Sequence, residues 1–194
     1  MTRKMDKLVH GVGINDANRP VHTKVDGKRV MCPFYRRWAE MLRRCYDPNY
    51  HLRQPTYLGC SVAEEWLVFS GFESWMKTQD WEGKELDKDL LKVGNKLYSP
   101  DLCIFVPKKL NSFTMDCGAS SGEWPVGAYL DKRRGRFMAR CNNPFTGKKE
   151  SLGYYDTPEE AHLAWKKRKH ELALIYANQQ SDPRVAEALR TRYL

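Results

Sequence analysis

Two aspartates flank a lysine in Asp87-Lys88-Asp89, and Asn111 follows some twenty positions later on a segment with helical character. Carboxylate and amide oxygens are hard ligands that suit Mg2+ or Mn2+. Hydrolysis of a phosphodiester needs such a cation beside the scissile phosphate and a base to activate water. Asp87 and Asn111 are therefore the candidate metal ligands, and Lys88 and Asp89 the candidate catalytic groups. A lysine at its ordinary pKa of about 10 is a poor base unless burial or neighbours depress it. Asp89 is the other choice, as base or as ligand. The plainer reading of the two aspartates is a pair of exposed strand-end carboxylates.

A second set of residues could hold a polyanion. Lys132, Arg133, Arg134, Arg136, Arg140, Lys148 and Lys149 fall in strand-like pieces and in the turns between them. A basic antiparallel sheet of three strands can enter the major groove of DNA, where side chains reach phosphates and base edges. The whole chain agrees in sign, with 33 basic against 24 acidic residues and a formal charge of +9. Such a surplus attracts polyanions, and nucleic acid is the commonest of them.

These residues need elements to position them. Phe34, Tyr35, Trp38, Met41, Leu42, Cys45 and Tyr46 recur at helical spacing, so one face of a helix is core and its arginines flank that face. Asp47-Pro48-Asn49 should stop it. A second helix is expected from Ser61, with Ser61 and Glu64 as a capping box and Val62, Trp66, Phe69, Phe72 and Trp75 along its apolar face. Residues 83–113 read as strand, loop, strand and helix, with Asp87 ending the first strand and Asn111 on the helix. Residues 126–131, 136–141 and 148–155 read as three strands. A long helix from Pro158 follows, capped by Thr157 and Glu160, with Ala161, Ala164, Trp165, Leu172, Ile175 and Tyr176 inward. Asp182-Pro183 opens a last short helix.

The fold expected is therefore α+β. An irregular arm (1–30) precedes a helical scaffold with the strand–loop–strand–helix unit (31–116). A small-residue linker (117–123) leads to a three-stranded antiparallel sheet packed on one helix (124–178), then a tail helix (179–194). Trp38, Trp66 and Trp75 should share a core separate from that of Trp165. The six cysteines contain no Cys-x-x-Cys spacing, so they read as buried small hydrophobes and no structural zinc is expected. No apolar run approaches the ~20 residues needed to cross a bilayer. The expectation is a cytoplasmic protein with duplex DNA as partner and neither a membrane nor a protein partner.

Two resemblances sharpen this reading. Gly127-Ala128-Tyr129, Gly135-Arg136-Phe137-Met138-Ala139-Arg140, Ser151-Leu152-Gly153-Tyr154-Tyr155 and Thr157-Pro158-Glu159-Glu160-Ala161 resemble the ethylene-response-factor (APETALA-type) DNA-binding domain. The likeness covers residues 124–178 and departs from the family pattern at Phe137 and Trp165. It implies that Arg134, Arg136 and Arg140 face DNA.

Leu86-Asp87-Lys88-Asp89-Leu90, Gly94-Asn95-Lys96, the run from Tyr98-Ser99-Pro100-Asp101 to Val106-Pro107, and Asn111 resemble the HNH nuclease unit of phage homing endonucleases. Trp38, Arg44-Cys45-Tyr46, Pro55-Thr56-Tyr57 and Trp66 upstream share that likeness. It implies a ββα-metal unit that cleaves DNA with Mg2+ or Mn2+ in a host cytoplasm. Lys88 stands where the family carries its general-base histidine, and Leu102 where it carries the asparagine that orients it. A catalytically degenerate unit acting as a DNA-binding or regulatory factor is therefore the alternative.

Overall fold

A computed structural model describes residues 8–115 and 123–194. The chain is α+β and divides into two compact units, the first ending at Val106 and the second running from Pro107 to Leu194.

Helix α1 (Pro33–Tyr46) buries Trp38, Met41, Leu42 and Cys45, the stripe that three- and four-residue spacing places on one side. Helix α2 (Pro48–Arg53) starts immediately afterwards, because the Asp47 side chain accepts from the backbone of Asn49 and Tyr50. Asp47 thus ends one helix by capping the next. Helix α3 (Phe69–Lys77) adds Phe69, Phe72 and Met76 to the same core. Trp38 is fully buried, and its indole N–H donates to the Trp66 carbonyl at 2.7 Å. Trp66 and Trp75 pack with ring centroids 4.5 Å apart. Trp38→Ala should lower the unfolding free energy by about 3–5 kcal/mol, read by denaturant titration, because a cavity and an orphaned carbonyl both remain.

The described residues of the expected arm, 8–30, are more regular than expected. Strands β1 (His22–Val25) and β2 (Lys28–Met31) form an antiparallel hairpin across Asp26-Gly27. Both turn residues have positive φ, 50° and 75°, as a tight two-residue hairpin turn requires. The Asp-Gly pair carried that signal, but the flanking strands are exposed and show no apolar alternation.

The expected helix from Ser61 is also corrected. Ser61–Val62 is strand β3, paired in parallel with β5 (Leu97–Tyr98), and α3 starts only at Phe69. The amides of Ser61 and Ala63 donate to the carbonyls of Lys96 and Tyr98, both at 2.8 Å. A long-range sheet pairing prevails over the local cap, and Glu64–Trp66 closes only one 3-10 turn.

Glu73 on α3 is 7% exposed and lies between Arg19 and Lys77. Burial raises its pKa, but hydrogen bonds and charge from the two cations outweigh this, so the carboxyl titrates below its ordinary value. A depressed carboxylate stabilises the fold fully above its unfolded pKa and loses that contribution as pH falls through the folded one. Unfolding free energy should therefore decline as pH drops below about 4.5. Glu73→Gln should flatten that decline in denaturation curves across the acid range.

Strands β4 (Lys84–Asp87) and β6 (Ile104–Pro107) form a two-stranded sheet whose Leu86 and Phe105 join the tryptophan core. Arg37 of α1 secures this sheet by donating to the Lys84 carbonyl at 2.8 Å. Helix α4 (Lys108–Thr114) follows β6 directly.

In the second unit, β7 (Ala128–Asp131), β8 (Arg136–Asn142) and β9 (Lys149–Tyr155) form one antiparallel sheet in that order. Helix α5 (Pro158–Ala177) covers one face, opened by the expected Thr157–Glu160 capping box. Ala128, Ala139 and Ala161 lie at this contact, where small side chains let helix and sheet approach closely. Gly127 permits the same approach. Its φ is +88°, and a Cβ there would sit 2.2 Å from Cγ of Trp165. Gly127→Ala should cost about 2–4 kcal/mol in thermal or chemical unfolding, through overpacking and left-handed strain.

The inward face of α5 also differs from expectation. Lys169 and Ala173 are buried, whereas Ile175 is 43% exposed. Lys169 is tolerated inside because its ammonium donates to the Phe113 carbonyl and rests over the Phe113 ring. Phe113 of α4 packs against Tyr176 and Tyr193, with centroids 5.1 and 6.0 Å away. Helix α4 therefore belongs with the second unit, and helix α6 (Pro183–Thr191) packs within that unit rather than trailing as a tail. The linker placed at 117–123 lies, apart from Glu123, outside the described residues, and so does Cys117. Among the described residues no helix is long and apolar enough to cross a membrane.

Candidate nucleic-acid interface and carboxylate site

The end of β4 brings Asp87, Lys88 and Asp89 together. Asp87 Oδ1 accepts from the amides of Asp89 and Leu90 at 2.8 and 2.6 Å, an aspartate turn that ends the strand. Lys88 points the other way and is 6% exposed. Its ammonium donates to both oxygens of Asp89 at 2.7 Å and to the Asn95 carbonyl at 2.8 Å. Asn95 closes the clasp by donating to the carbonyls of Lys88 and Leu97 at 2.8 and 2.7 Å. In the sequence Asn95 stands out only within the Gly94-Asn95-Lys96 stretch of the nuclease resemblance. Its nearly complete burial comes from the loop folding back over Lys88.

This geometry is that of an ammonium orienting a carboxylate. To act as a base, Lys88 would have to give up the proton that holds its contacts. Asp89, whose side chain is 42% exposed, presents the accessible oxygens. Behind them lies a cationic, aromatic wall. The Tyr57 and Tyr98 rings lie 6.0 and 5.9 Å from the Lys88 ammonium, and the Arg44 guanidinium lies over Tyr57 at 5.7 Å. Burial opposes the charge on Arg44, but the Tyr98 and Tyr57 hydroxyls more than compensate, and its pKa is raised. Burial likewise pushes the Tyr98 phenol up, against the opposing pull of Arg44. The Cys45 and Cys103 thiols are pushed up to about 12, chiefly by burial, and stay protonated at neutral pH. Protonated thiols are poor nucleophiles and poor metal ligands.

Asn111 lies on α4 in the second unit, and Leu102 occupies the turn before β6. Among the described residues no three His, Cys, Asp or Glu side chains converge into a metal cage. Carboxylate oxygens are the ligand type that a hard cation such as Mg2+ takes; here both Asp89 oxygens accept from Lys88 and Asp87 Oδ1 accepts from two amides.

The second unit presents the basic residues. With α5 covering one face of the sheet, the residues alternating outward form cross-strand rows. Tyr129, Met138 and Tyr154 make one row, and Arg140 pairs with Ser151 and Asn142 with Lys149 beside it. The irregularity between Ala139 and Arg140 adds one residue to β9 and so sets Ser151 and Lys149 opposite Arg140 and Asn142 on the outer face. Arg140 lies over Tyr129 at 5.8 Å and Arg134 over Tyr154 at 4.5 Å. Arg136 pairs with Asp156 at 2.8 Å. Lys132, Arg133, Lys148 and Lys149 are exposed at the turns and strand ends. Tyr129 and Tyr154 are the aromatic residues of this face that the basic pattern alone did not reveal. The two-residue alternation along β7 and β9 was the available signal. No protein-family model, curated protein or solved structure matches this chain.

Proposed function

We propose that this chain is a DNA-binding endonuclease of the HNH homing kind. The outer face of β7–β8–β9 docks on the duplex, and the β4 end hydrolyses a phosphodiester bond. The observation that carries the reading is the pair of arginines, Arg134 and Arg140, laid on Tyr154 and Tyr129 at the uncovered sheet face. Guanidinium groups held by aromatic rings are pre-ordered for phosphate and base-edge contacts, and lose less freedom on binding. Two carboxylates at the end of a strand paired with β6 support the hydrolytic part. Asp87 and Asp89 would hold a divalent cation, which when bound activates water and offsets charge on the phosphate. Lys88 fixes Asp89, and Arg44 adds positive potential nearby.

A non-catalytic DNA-binding role is the second reading. Lys88, tied to Asp89 and Asn95, favours it, because an ammonium occupies the place of the family's general-base histidine. Both readings require duplex affinity. The full chain should bind duplex DNA with a steep salt dependence, losing about a thousandfold or more between roughly 50 and 200 mM salt. Fluorescence anisotropy of a labelled duplex measures this, and salt-independent or absent binding would remove both readings.

A further inference from the structure

The second unit contains a cleft of about 560 Å³ at the rim of the sheet, reached by α4, β7, β8 and α5. Among the described residues that line it, five are cations, namely Lys108, Lys109, Arg140, Lys149 and Lys169, and none is a carboxylate. Apart from Ser112 and Asn142, the rest of its lining is apolar or aromatic, with Trp165 and Phe113 buried and Tyr129 at the lip. A cavity of this size accepts a small-molecule-sized group. Positive charge beside low-dielectric walls selects an anion, and the rings select a flat apolar one.

We propose that this cleft receives an unstacked nucleotide of single-stranded or locally opened DNA. The base would stack on Tyr129 at the lip and enter beside Trp165 and Phe113, on whose rings His162 and Lys169 already rest, and its phosphates would meet Lys108, Lys109 and Lys149. Tyr129 and Arg140 belong both to the outer sheet face and to the cleft. A strand crossing the sheet therefore reaches the opening without leaving its arginine contacts. An intact duplex keeps its bases stacked and occupies only the rim. Lys169, 8% exposed and 3.7 Å from the Phe113 ring centroid, adds positive potential to the wall. Stacking on protein rings and backbone-tracking cations are the recurrent means of holding single strands. The proposal rests on the DNA-binding reading but requires its own site.

The test uses the full chain with a labelled oligo-dT and a labelled duplex of equal length. Ser112 is exposed and lines the cleft, so Ser112→Leu narrows the opening without adding a ring or changing charge or core. Oligo-dT affinity should fall at least about tenfold while duplex affinity stays within about twofold. A second variant, Lys108→Ala with Lys109→Ala, should show the same selective loss. Unchanged oligo-dT affinity in Ser112→Leu would overturn the proposal. So would competition by inorganic polyphosphate as effective as by unlabelled oligo-dT, since charge alone would then explain binding. Failure of the duplex to bind wild-type protein would defeat the duplex-docking reading instead, and the oligo-dT comparison would still decide the cleft.

Discussion

Asp87→Asn should reduce DNA cleavage by about a hundredfold or more while leaving duplex affinity within about twofold. The substitution isolates charge from structure. Asp87 Oδ1 accepts from the amides of Asp89 and Leu90, and an asparagine oxygen can accept both. The turn therefore survives, whereas the negative charge that would hold a divalent cation does not. Alanine would be less informative, because losing the two acceptor contacts costs about 1–2 kcal/mol and loosens Lys88 and Asp89 as well. Affinity is spread over many phosphate contacts and should scarcely notice one buried-edge carboxylate. Lys88→Met then separates two roles. It removes the ammonium that grips both Asp89 oxygens. A drop in rate restored by raising the metal concentration would mark Lys88 as a positioning residue for Asp89. A drop that metal cannot restore would mark its charge as acting on the phosphate.

The second large effect concerns the sheet. Arg134, Arg136 and Arg140 replaced together by Ala should weaken duplex binding by about two to three orders of magnitude at moderate salt. The plot of log affinity against log salt should become shallower by about 0.9 for each lost phosphate contact. Arg136 should contribute less than its neighbours, since Asp156 already holds it at 2.8 Å. The single variants should therefore rank Arg134 and Arg140 above Arg136. None of the three side chains is buried, and the α5-facing core is untouched. Melting temperature should consequently remain close to wild type, which separates lost contacts from lost folding.

Much of this arrangement could be read from residue order, and the failures share a physical cause. The α1 stripe, the Thr157 capping box and the three strands of the second unit are local patterns, and the structure contains them. Ser61 and Glu64 also form a good local pattern, yet a parallel pairing with Leu97 and Tyr98 overrides it. Sequence spacing carries no record of a partner some thirty-five residues away. Lys169 carries no apolar signal in the sequence, yet a carbonyl and an aromatic ring hold it inside. In the candidate site, Asp87 and Asp89 were identified from their chemistry. The clasp of Asn95 over Lys88 was not, because it depends on a loop closing back on its own strand. Helix α4 had been placed with the nuclease-like segment by continuity of the chain, but the packing of Phe113 joins it to the second unit.

The most direct test of the central claim is nicking of supercoiled DNA by the full chain, with binding measured on the same samples. Wild-type protein with Mg2+ or Mn2+ should convert supercoiled to nicked or linear DNA. Chelation of the metal should stop this without releasing the protein, and Asp87→Asn should bind without cutting. Wild-type protein that binds its DNA and leaves it intact with either metal, or cutting that is equal in wild type and Asp87→Asn, would contradict hydrolysis at the end of β4.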